Sequence, residues 1–132
     1  MQIQRLNFAA MTNRRLDKFS RLMLKELGYI FLNEGKKLFG NAMIGVTRAI
    51  VSPDLGYVKV YINFLNVEDK EKMIETVREN TKELRMMLAH RIRNEVRRVP
   101  ELAFFYDDSL DYAEKMDEIF KKLNQSEDKK EE

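Results

Sequence analysis

The sequence predicts one α+β domain in which helices cover a three-stranded sheet. In two segments, apolar residues recur three and four positions apart, which is the spacing of a helix face. Between them lie a β-branched run over residues 42–51 and an alternating run over residues 57–65, separated by a short turn as in a β-hairpin. The apolar run 102–106 supplies the third strand. The length of 132 residues suits a single domain with one core.

The first helix is expected to begin near Arg14 with Asn13 as its N-cap, because an Asn side chain can accept from the first N–H groups of a helix. Residues 1–13 show little periodicity and are expected to form a flexible arm. The helix should fade through Gly35 and Gly40. Its predicted buried stripe consists of Leu16, Phe19, Met23, Leu27 and Ile30.

The hairpin turn is predicted at residues 52–56, which read SPDLG. Pro53 presets φ, Asp54 can bond its own backbone, and Gly56 tolerates positive φ. In the strand that follows, one face is apolar and the other polar, so one face should join the core. The apolar positions are Val58, Val60, Ile62 and Phe64.

A long helical stretch is expected from about residue 68 to residue 98. The polar run 78–83 interrupts its apolar stripe, and Asn80 and Thr81 offer side-chain alternatives to helical hydrogen bonds. We therefore expect a kink or a break there. Pro100 should end the second half, because the residue before a proline avoids the α region.

A last helix is expected over about residues 110–123, with Asp107 and Asp108 able to cap its start. It should bury Ala113, Met116, Ile119, Phe120 and Leu123. The domain would then span residues 14–123, and residues 124–132 form a charged tail that we expect to be disordered.

The composition excludes much enzyme chemistry. With no Cys and one His, the chain has no cysteine nucleophile, disulfide or multi-histidine metal site. It contains no Walker loop, GxGxxG, GxSxG or HExxH motif. We therefore expect no catalytic activity, no metal and no cofactor. No apolar run is long enough to span a membrane and no secretory h-region opens the chain, so cytoplasmic placement is the default expectation.

The charges are segregated, although 24 basic residues nearly balance 22 acidic ones. Residues 1–25 hold six bases and one acid, residues 85–98 five arginines and one acid, and residues 101–118 seven acids and one Lys. A basic side of this kind attracts polyanions. Guanidinium groups bind repeated phosphates without needing a particular base, so we interpret the arginines as a phosphate-binding surface. The alternative is a solvated helix face.

The candidate nucleic-acid contacts come from two segments. On a continuous helix, Arg93 and Arg97 would be neighbours on one exposed flank, with Arg91 and Arg98 on the opposite flank. Arg85 borders the apolar stripe, where a structural ion pair is an equally good interpretation. The first helix can extend the surface through Arg14, Arg15, Arg21 and Lys25.

Other conspicuous residues have simpler explanations. The cluster Asp107, Asp108 and Asp111 matches no complete calcium loop, and helix capping explains the first two. His90 is expected on the polar side of its helix, as a surface residue or a phosphate contact. Tyr61 could stack a base, but a packed strand position is the simpler interpretation.

The order helix, strand, strand, helix, helix, strand, helix contains the strand–helix–helix–strand core of a KH domain. Its leading helix and strand suit the type II arrangement. KH domains normally clamp nucleic acid with a GxxG loop between the two central helices. All five glycines precede that junction, so the GxxG loop is absent and recognition must use another surface.

The sequence resembles the ribosome-binding factor A family of bacteria over about residues 14–123. The resemblance is carried by RLDKFSRLMLKELGYI, by VTRAIVSPDLGYVKVYINFL and, most specifically, by LRMMLAHRIRNEVRRVPELAFFYDDSLDYAEKMDEI. The family has a type II KH fold in which a helix–kink–helix, commonly marked by Ala-x-Gly, replaces GxxG. Here Asn80, Thr81 and Lys82 stand at that place.

The resemblance implies a non-catalytic assembly factor that binds the free small (30S) ribosomal subunit and supports 5′-end maturation of 16S rRNA, especially in the cold. It implies that Arg91, Arg93, Arg97 and Arg98 belong to the surface that meets rRNA. We expect a monomer. Two other classes stay open: a general single-stranded RNA-binding regulator on a KH-like fold, and a docking module whose charges match a protein partner.

Overall fold

The chain alternates helices and strands in the order predicted from the sequence. The structure is a computed structural model that describes the backbone of residues 2–109, 114 and 116–124, and side chains from residue 14 onward within those ranges. Its elements are α1 (Gln2–Phe39), β1 (Met43–Val51), β2 (Tyr57–Leu65), α2 (Lys70–Glu79), α3 (Thr81–Ile92) and β3 (Glu101–Tyr106), followed by the helical segment α4 (116–124). The predicted α+β class and type II KH arrangement are confirmed.

Helix α1 begins earlier than its apolar stripe predicted. It starts at Gln2 rather than near Arg14, so Asn13 lies inside the helix and is not its N-cap. Residues 2–13 contain Ala, Gln, Leu, Arg and Met, which favour a helical backbone without any apolar stripe. At the other end, Gly40 has a φ of 66° and donates its N–H to the Lys36 carbonyl at 3.2 Å, which is the αL cap that ends the helix.

The strands form one sheet in the order β1–β2–β3. β1 is antiparallel to β2, with a bulge between Val46 and Arg48, and β3 is parallel to β2. A parallel neighbour requires a crossover connection, which α2 and α3 supply. The buried positions of β2 are the predicted ones, Val58, Val60, Ile62 and Phe64. We call the face that carries them the inner face of the sheet and the opposite one the outer face.

Helices α1, α2 and α3 cover the inner face, and Ile74 and Val77 of α2 belong to the core. The buried residues of α1 include the predicted Phe19, Met23, Leu27 and Ile30, while Leu16 is half-buried. Those of α3 are Leu84, Leu88 and Ile92. The Phe31 ring meets the Phe104 ring edge to face, with centroids 6.0 Å apart. Each such large apolar side chain contributes about 1.5–3 kcal/mol through burial.

The β1–β2 turn is held by its own side chains. The Asp54 carboxylate accepts from the Ser52 hydroxyl at 2.6 Å and from the Gly56 N–H at 3.1 Å. The residue at positive φ is Leu55, at 60°, and not Gly56 as the sequence predicted. A Cβ at Gly56 would lie 3.3 Å from the Asp54 carboxylate, which is a tight contact, and 3.5 Å from the Arg98 guanidinium carbon, which is an ordinary one.

The long helical stretch breaks at Asn80, inside the polar run where a kink or break was predicted. The Asn80 N–H donates to the carbonyls of Thr76 and Val77, at 3.2 Å and 3.1 Å. Its side-chain amide donates to the Thr76 carbonyl at 2.8 Å. Asn80 therefore closes α2 with local hydrogen bonds.

Helix α3 ends at Ile92, not near Arg98 as predicted, and residues 93–100 form the α3–β3 loop. The Arg85 guanidinium donates to the carbonyls of Pro100 at 3.0 Å and Val99 at 2.9 Å. These bonds hold the end of the loop beside α3. Because the end of the loop lies beside α3, the chain turns back after Ile92 instead of continuing the helix to Pro100.

Helix α4 exposes apolar side chains that the sequence predicted to be buried. Ile119 is 50% exposed, Phe120 57% and Leu123 55%, while Met116 is half-buried. The inner face is already covered by α1, α2 and α3, and the described side chains of α4 take no part in that core. Ala113 lies outside the described residues. Among the described helices none is long and apolar enough to cross a membrane.

Two glycine substitutions should change the stability in opposite directions. Gly40→Ala should lower the free energy of unfolding by about 1 kcal/mol, because a Cβ disfavours the left-handed backbone that ends α1. Gly28→Ala, in the interior of α1, should raise it by about 0.5–1 kcal/mol, since no described atom lies within 4 Å of the added Cβ. Urea denaturation measures the free energy of unfolding of both variants. If the two substitutions changed it in the same direction, the assignment of Gly40 as the end of α1 would be contradicted.

Arg85→Ala should lower the free energy of unfolding by about 2 kcal/mol, because two carbonyls of the α3–β3 loop lose a charged donor. Arg97→Ala is the matched control, since Arg97 is exposed and should change stability by less than about 0.5 kcal/mol. Thermal and urea denaturation compare the two. If Arg85→Ala were as stable as the unchanged protein, the hydrogen bonds from Arg85 would not be needed to hold the loop.

The turn should lose a contribution to stability at acid pH. The Ser52 hydroxyl, the Gly56 N–H and the nearby Arg98 charge lower the pKa of Asp54 below its ordinary 3.8. This contribution is complete above the unfolded value and disappears as the pH falls through the lowered pKa. In Ser52→Ala the pKa of Asp54, followed by NMR titration of its carboxyl carbon, should move up towards 3.8. An unchanged pKa would exclude the Ser52 hydroxyl as the main cause.

Candidate nucleic-acid interface

A groove lies where α1 passes the β1–β2 turn and the α3–β3 loop. Basic side chains from α1 line one wall and basic side chains from the loop line the other. We call it the basic groove. Its basic residues are Arg15, Lys18, Arg21, Lys25, Arg97 and Arg98.

The α1 wall follows from helical spacing. Residues three or four positions apart lie on the same side of a helix, and Arg15, Lys18, Arg21 and Lys25 have this spacing. All four are exposed. The neighbouring stripe of α1 is buried against the sheet, so the orientation of the helix is fixed by its apolar side. The basic side then faces the turn and the loop.

The loop wall carries Arg97 and Arg98, both exposed. The acidic residues that line the groove are Asp54 and Glu95. The Asp54 carboxylate is already engaged by the turn and lies near Arg98, whose charge contributes to lowering the pKa of Asp54. The six bases therefore exceed the two acids, and the groove is positive overall.

The floor of the groove is apolar. Phe19 and Leu22 of α1 line it together with Leu55 of the turn and Val96 of the loop. The groove has a volume of about 1020 Å³. This is at the upper limit of about 300–1,000 Å³ for small-molecule pockets, which favours an extended ligand. A positive rim and an extended shape suit a polyanion such as a nucleic-acid backbone.

Part of the predicted set comes together in this groove. Of the nine predicted contact residues, five line it: Arg15, Arg21, Lys25, Arg97 and Arg98. Arg14 lies in an adjacent shallow depression that also includes Lys18 and Arg21. The structure thus brings bases from both predicted segments to one surface.

The predicted arrangement of the later arginines on one helix is wrong. Arg93 is the C-cap of α3, and Arg97 and Arg98 lie in the loop beyond it. The four-residue spacing that would place Arg93 beside Arg97 has no meaning outside a helix. Arg93 is exposed, but it lines neither the basic groove nor the adjacent depression.

Arg91 is exposed, but its guanidinium is already engaged by other residues of the fold. Its guanidinium donates to the carboxylate of Glu26, which is 8% exposed, and it lies 3.7 Å from the centroid of the Tyr29 ring. The hydrogen bond from Arg91 to Glu26 raises the pKa of the Arg91 guanidinium above its usual range. Both contacts tie α3 to α1, so this arginine has a structural role before any nucleic acid is considered.

Arg85 also has a structural role, though not the ion pair that the sequence suggested. It donates to two backbone carbonyls of the α3–β3 loop, as described above. Sequence position alone could not show this, because a carbonyl acceptor belongs to any residue and leaves no mark in the sequence. Arg85 shapes the loop that carries Arg97 and Arg98.

One groove residue was missed as a candidate from the sequence. Lys18 lies three positions from both Arg15 and Arg21, and this spacing could have identified it. The apolar floor could not have been found in the same way, because it combines α1, the turn and the loop. Only the packing of these segments brings Leu22, Leu55 and Val96 together.

The remaining candidates occupy structural or surface positions. The Asp107 carboxylate accepts from the Ser109 N–H at 3.0 Å and from the Thr47 hydroxyl at 2.5 Å. These contacts with Ser109 and Thr47 lower the pKa of Asp107. Residues 110–113, where the helix that Asp107 was predicted to cap should begin, lie outside the described residues. His90 is exposed. Within the described part of the chain, no group of three or more acidic or histidine side chains is placed to hold a metal ion.

Comparison with known proteins identifies the family. The family model of ribosome-binding factor A matches residues 15–120. Ribosome-binding factor A of Cytophaga hutchinsonii is 43% identical over 113 residues, which cover 86% of this chain and 85% of that protein. The protein of the same name from Flavobacterium psychrophilum is 35% identical over 108 residues, covering 81% of this chain and 83% of that protein.

Solved structures show the same fold. The crystal structure of ribosome-binding factor A from Thermus thermophilus matches with a TM-score of 0.55 at 22% identity, over 69% of this chain and 94% of that one. A homology model of the Thermus thermophilus factor, fitted into a cryo-EM map of a 30S complex, matches with a TM-score of 0.52 at 23% identity, over 66% of this chain and 89% of that one. By its sequence over most of its length, this chain belongs to the ribosome-binding factor A family.

Proposed function

We propose that this chain is a non-catalytic ribosome assembly factor that binds the free small ribosomal subunit and meets 16S rRNA through the basic groove. The observation that carries the proposal is the convergence of α1 and the α3–β3 loop on one positive groove, in a chain of this family. The family is named for ribosome binding, and its Thermus thermophilus member has been fitted into a 30S complex.

The chemistry of the groove supports an RNA backbone as the ligand. Guanidinium groups such as those of Arg97 and Arg98 bind phosphate oxygens in pairs, and lysines add point charges. Two walls with opposed bases can hold a backbone between them and contact consecutive phosphates. Such binding releases counterions, so affinity should fall steeply as salt increases.

A rigid groove can act on rRNA without any covalent step. Both walls belong to segments fixed against one sheet, so the spacing between them is set by the core. An rRNA conformer that fits this spacing binds better than one that does not, and binding shifts the population towards it. The chain would leave when a later conformation of the subunit binds it less well.

The proposal extends to late maturation and 5′-end processing of 16S rRNA and to a role in cold adaptation. Misfolded RNA helices persist longer at low temperature, which increases the benefit of a protein that selects one conformer. We further propose that the chain acts as a monomer in the cytoplasm. The secondary contact candidates outside the groove are Arg14 and Arg93. Arg91 would join them if its guanidinium were released from Glu26.

The test is co-sedimentation with small subunits, large subunits and joined ribosomes at low and high salt. The unchanged protein should sediment with free small subunits, and less so as salt rises. The variant Lys25→Glu/Arg97→Glu reverses one charge on each wall. Its affinity should fall about 100-fold or more, since each charged hydrogen bond contributes at least about 1.5 kcal/mol.

The matched control is Lys36→Glu/Lys72→Glu, which makes the same change in net charge at exposed positions away from the groove. It should keep its affinity, and circular dichroism should show that both variants are folded. If both variants lost the same affinity for small subunits, net charge alone would explain the loss. That result would contradict the assignment of the groove as the binding surface. Binding to short single strands but to no ribosomal particle would favour the general RNA-binding regulator, and binding that survives removal of RNA would favour a protein-docking module.

A further inference from the structure

The outer face of the sheet carries a row of planar side chains across its strands. Tyr61 on β2 is in register with Arg48 on β1 and with Phe105 on β3. The rings of Tyr61 and Phe105 have centroids 5.6 Å apart and planes inclined by 30°. The Arg48 guanidinium lies over the Tyr61 ring at 4.8 Å, and Arg78 of α2 lies 5.7 Å from the Phe105 ring. We call these four side chains the aromatic row.

The outer face around this row is open. Helices α1, α2 and α3 pack on the inner face, to which the buried strand residues point. On the outer face Ile50 is 43% exposed and Tyr57 37%, Lys59 is exposed, and Tyr61 and Phe105 are half-buried. A surface that combines open aromatic and aliphatic side chains is typical of an interaction site rather than of a solvated sheet.

The charges on this face favour an anionic partner. Arg48, Lys59 and Arg78 surround the two rings. Of the acids at its border, Asp107 accepts from the Thr47 hydroxyl and the Ser109 N–H and also interacts with the Arg48 charge, and Glu101 lies at the start of β3. Proteins that bind single-stranded nucleic acid combine flat rings, on which bases stack, with cations that follow the backbone. A duplex conceals its base faces and cannot use the rings in this way.

We propose that the outer face of the sheet is a second RNA-binding surface, which holds unpaired nucleotides by stacking on the aromatic row and by phosphate contacts to Arg48 and Lys59. The position of Arg48 shows that one face of the Tyr61 ring accepts a flat group. Because Arg48 is exposed, a base can take that place while the guanidinium moves to a phosphate. Arg78 keeps its position at the other end, since it donates to the Phe104 carbonyl at 3.0 Å.

This surface is separate from the basic groove. The groove lies on the α1 side of the sheet and shares no residue with the aromatic row. One chain could therefore hold a single-stranded segment on the outer face while the groove holds another part of the RNA. The inference rests on the proposed function only in taking RNA as the partner.

The test measures binding of a labelled oligouridine strand by fluorescence anisotropy, with an RNA duplex for comparison. Tyr61→Leu and Phe105→Leu keep apolar bulk on the outer face and remove the ring. Each should weaken oligouridine binding about tenfold, the effect of losing one stacked base. Tyr61→Phe should bind as the unchanged protein does, and the duplex should compete poorly for the outer face.

The matched control is Tyr29→Leu, because Tyr29 is an exposed tyrosine that also has an arginine over its ring but lies on α1. It should bind oligouridine unchanged. The groove variant Lys25→Glu/Arg97→Glu should lose the small subunit, and whatever oligouridine binding it keeps should still fall about tenfold when Tyr61→Leu is added. Urea denaturation confirms that each variant is folded.

Two results would overturn the inference. The first is unchanged oligouridine binding in both Tyr61→Leu and Phe105→Leu. The aromatic row would then have only a structural role in the sheet. The second is oligouridine binding that only the groove variant loses. In either case, co-sedimentation of the unchanged protein with small subunits would still support the proposed function. A failure of the outer-face inference can therefore be distinguished from a failure of the proposed function.

Discussion

The structure depends on one requirement, which is that the apolar inner face of the sheet must be covered. Alternate residues of β2 and β3, among them Val60 and Phe104, point to this face and have to leave water. Helices α1, α2 and α3 cover it by turning their apolar side chains inward. Once α1 is fixed in this way, its basic residues can only face the turn and the α3–β3 loop, so the basic groove is a consequence of how the core is closed.

The arginines of this chain have the same side chain and different roles, and the difference lies in the nearest acceptor. Arg85 finds backbone carbonyls and anchors the α3–β3 loop. Arg91 finds a buried carboxylate and ties α3 to α1. Arg97 and Arg98 lie on the loop that Arg85 holds, and they extend into the groove. A structural arginine thus positions the arginines that are available to a ligand.

Most of the fold could be predicted because its signals are local. The alternation in β2, the turn at residues 52–56 and the interruption at Asn80 all appear within a few residues of sequence. The errors occurred at helix ends. The start of α1 and the end of α3 carry no marked local signal. The first extends a helix by ordinary propensity, and the second falls at Ile92, well before Pro100. Burial of α4 was wrongly predicted, because an apolar stripe does not show whether a surface remains for it to cover.

The fold class, the family and the two basic segments could be predicted without a structure, because they depend on periodicity, composition and residue identity. The sequence could not determine which bases act together. Lys25 and Arg97 are far apart in the chain and meet only because α1 and the loop after α3 pack at one end of the sheet. The same holds for Arg48, Tyr61 and Phe105, which the register of three strands brings into one row. Tertiary structure decided both surfaces, since the distances between side chains from different elements are set by core packing and strand register.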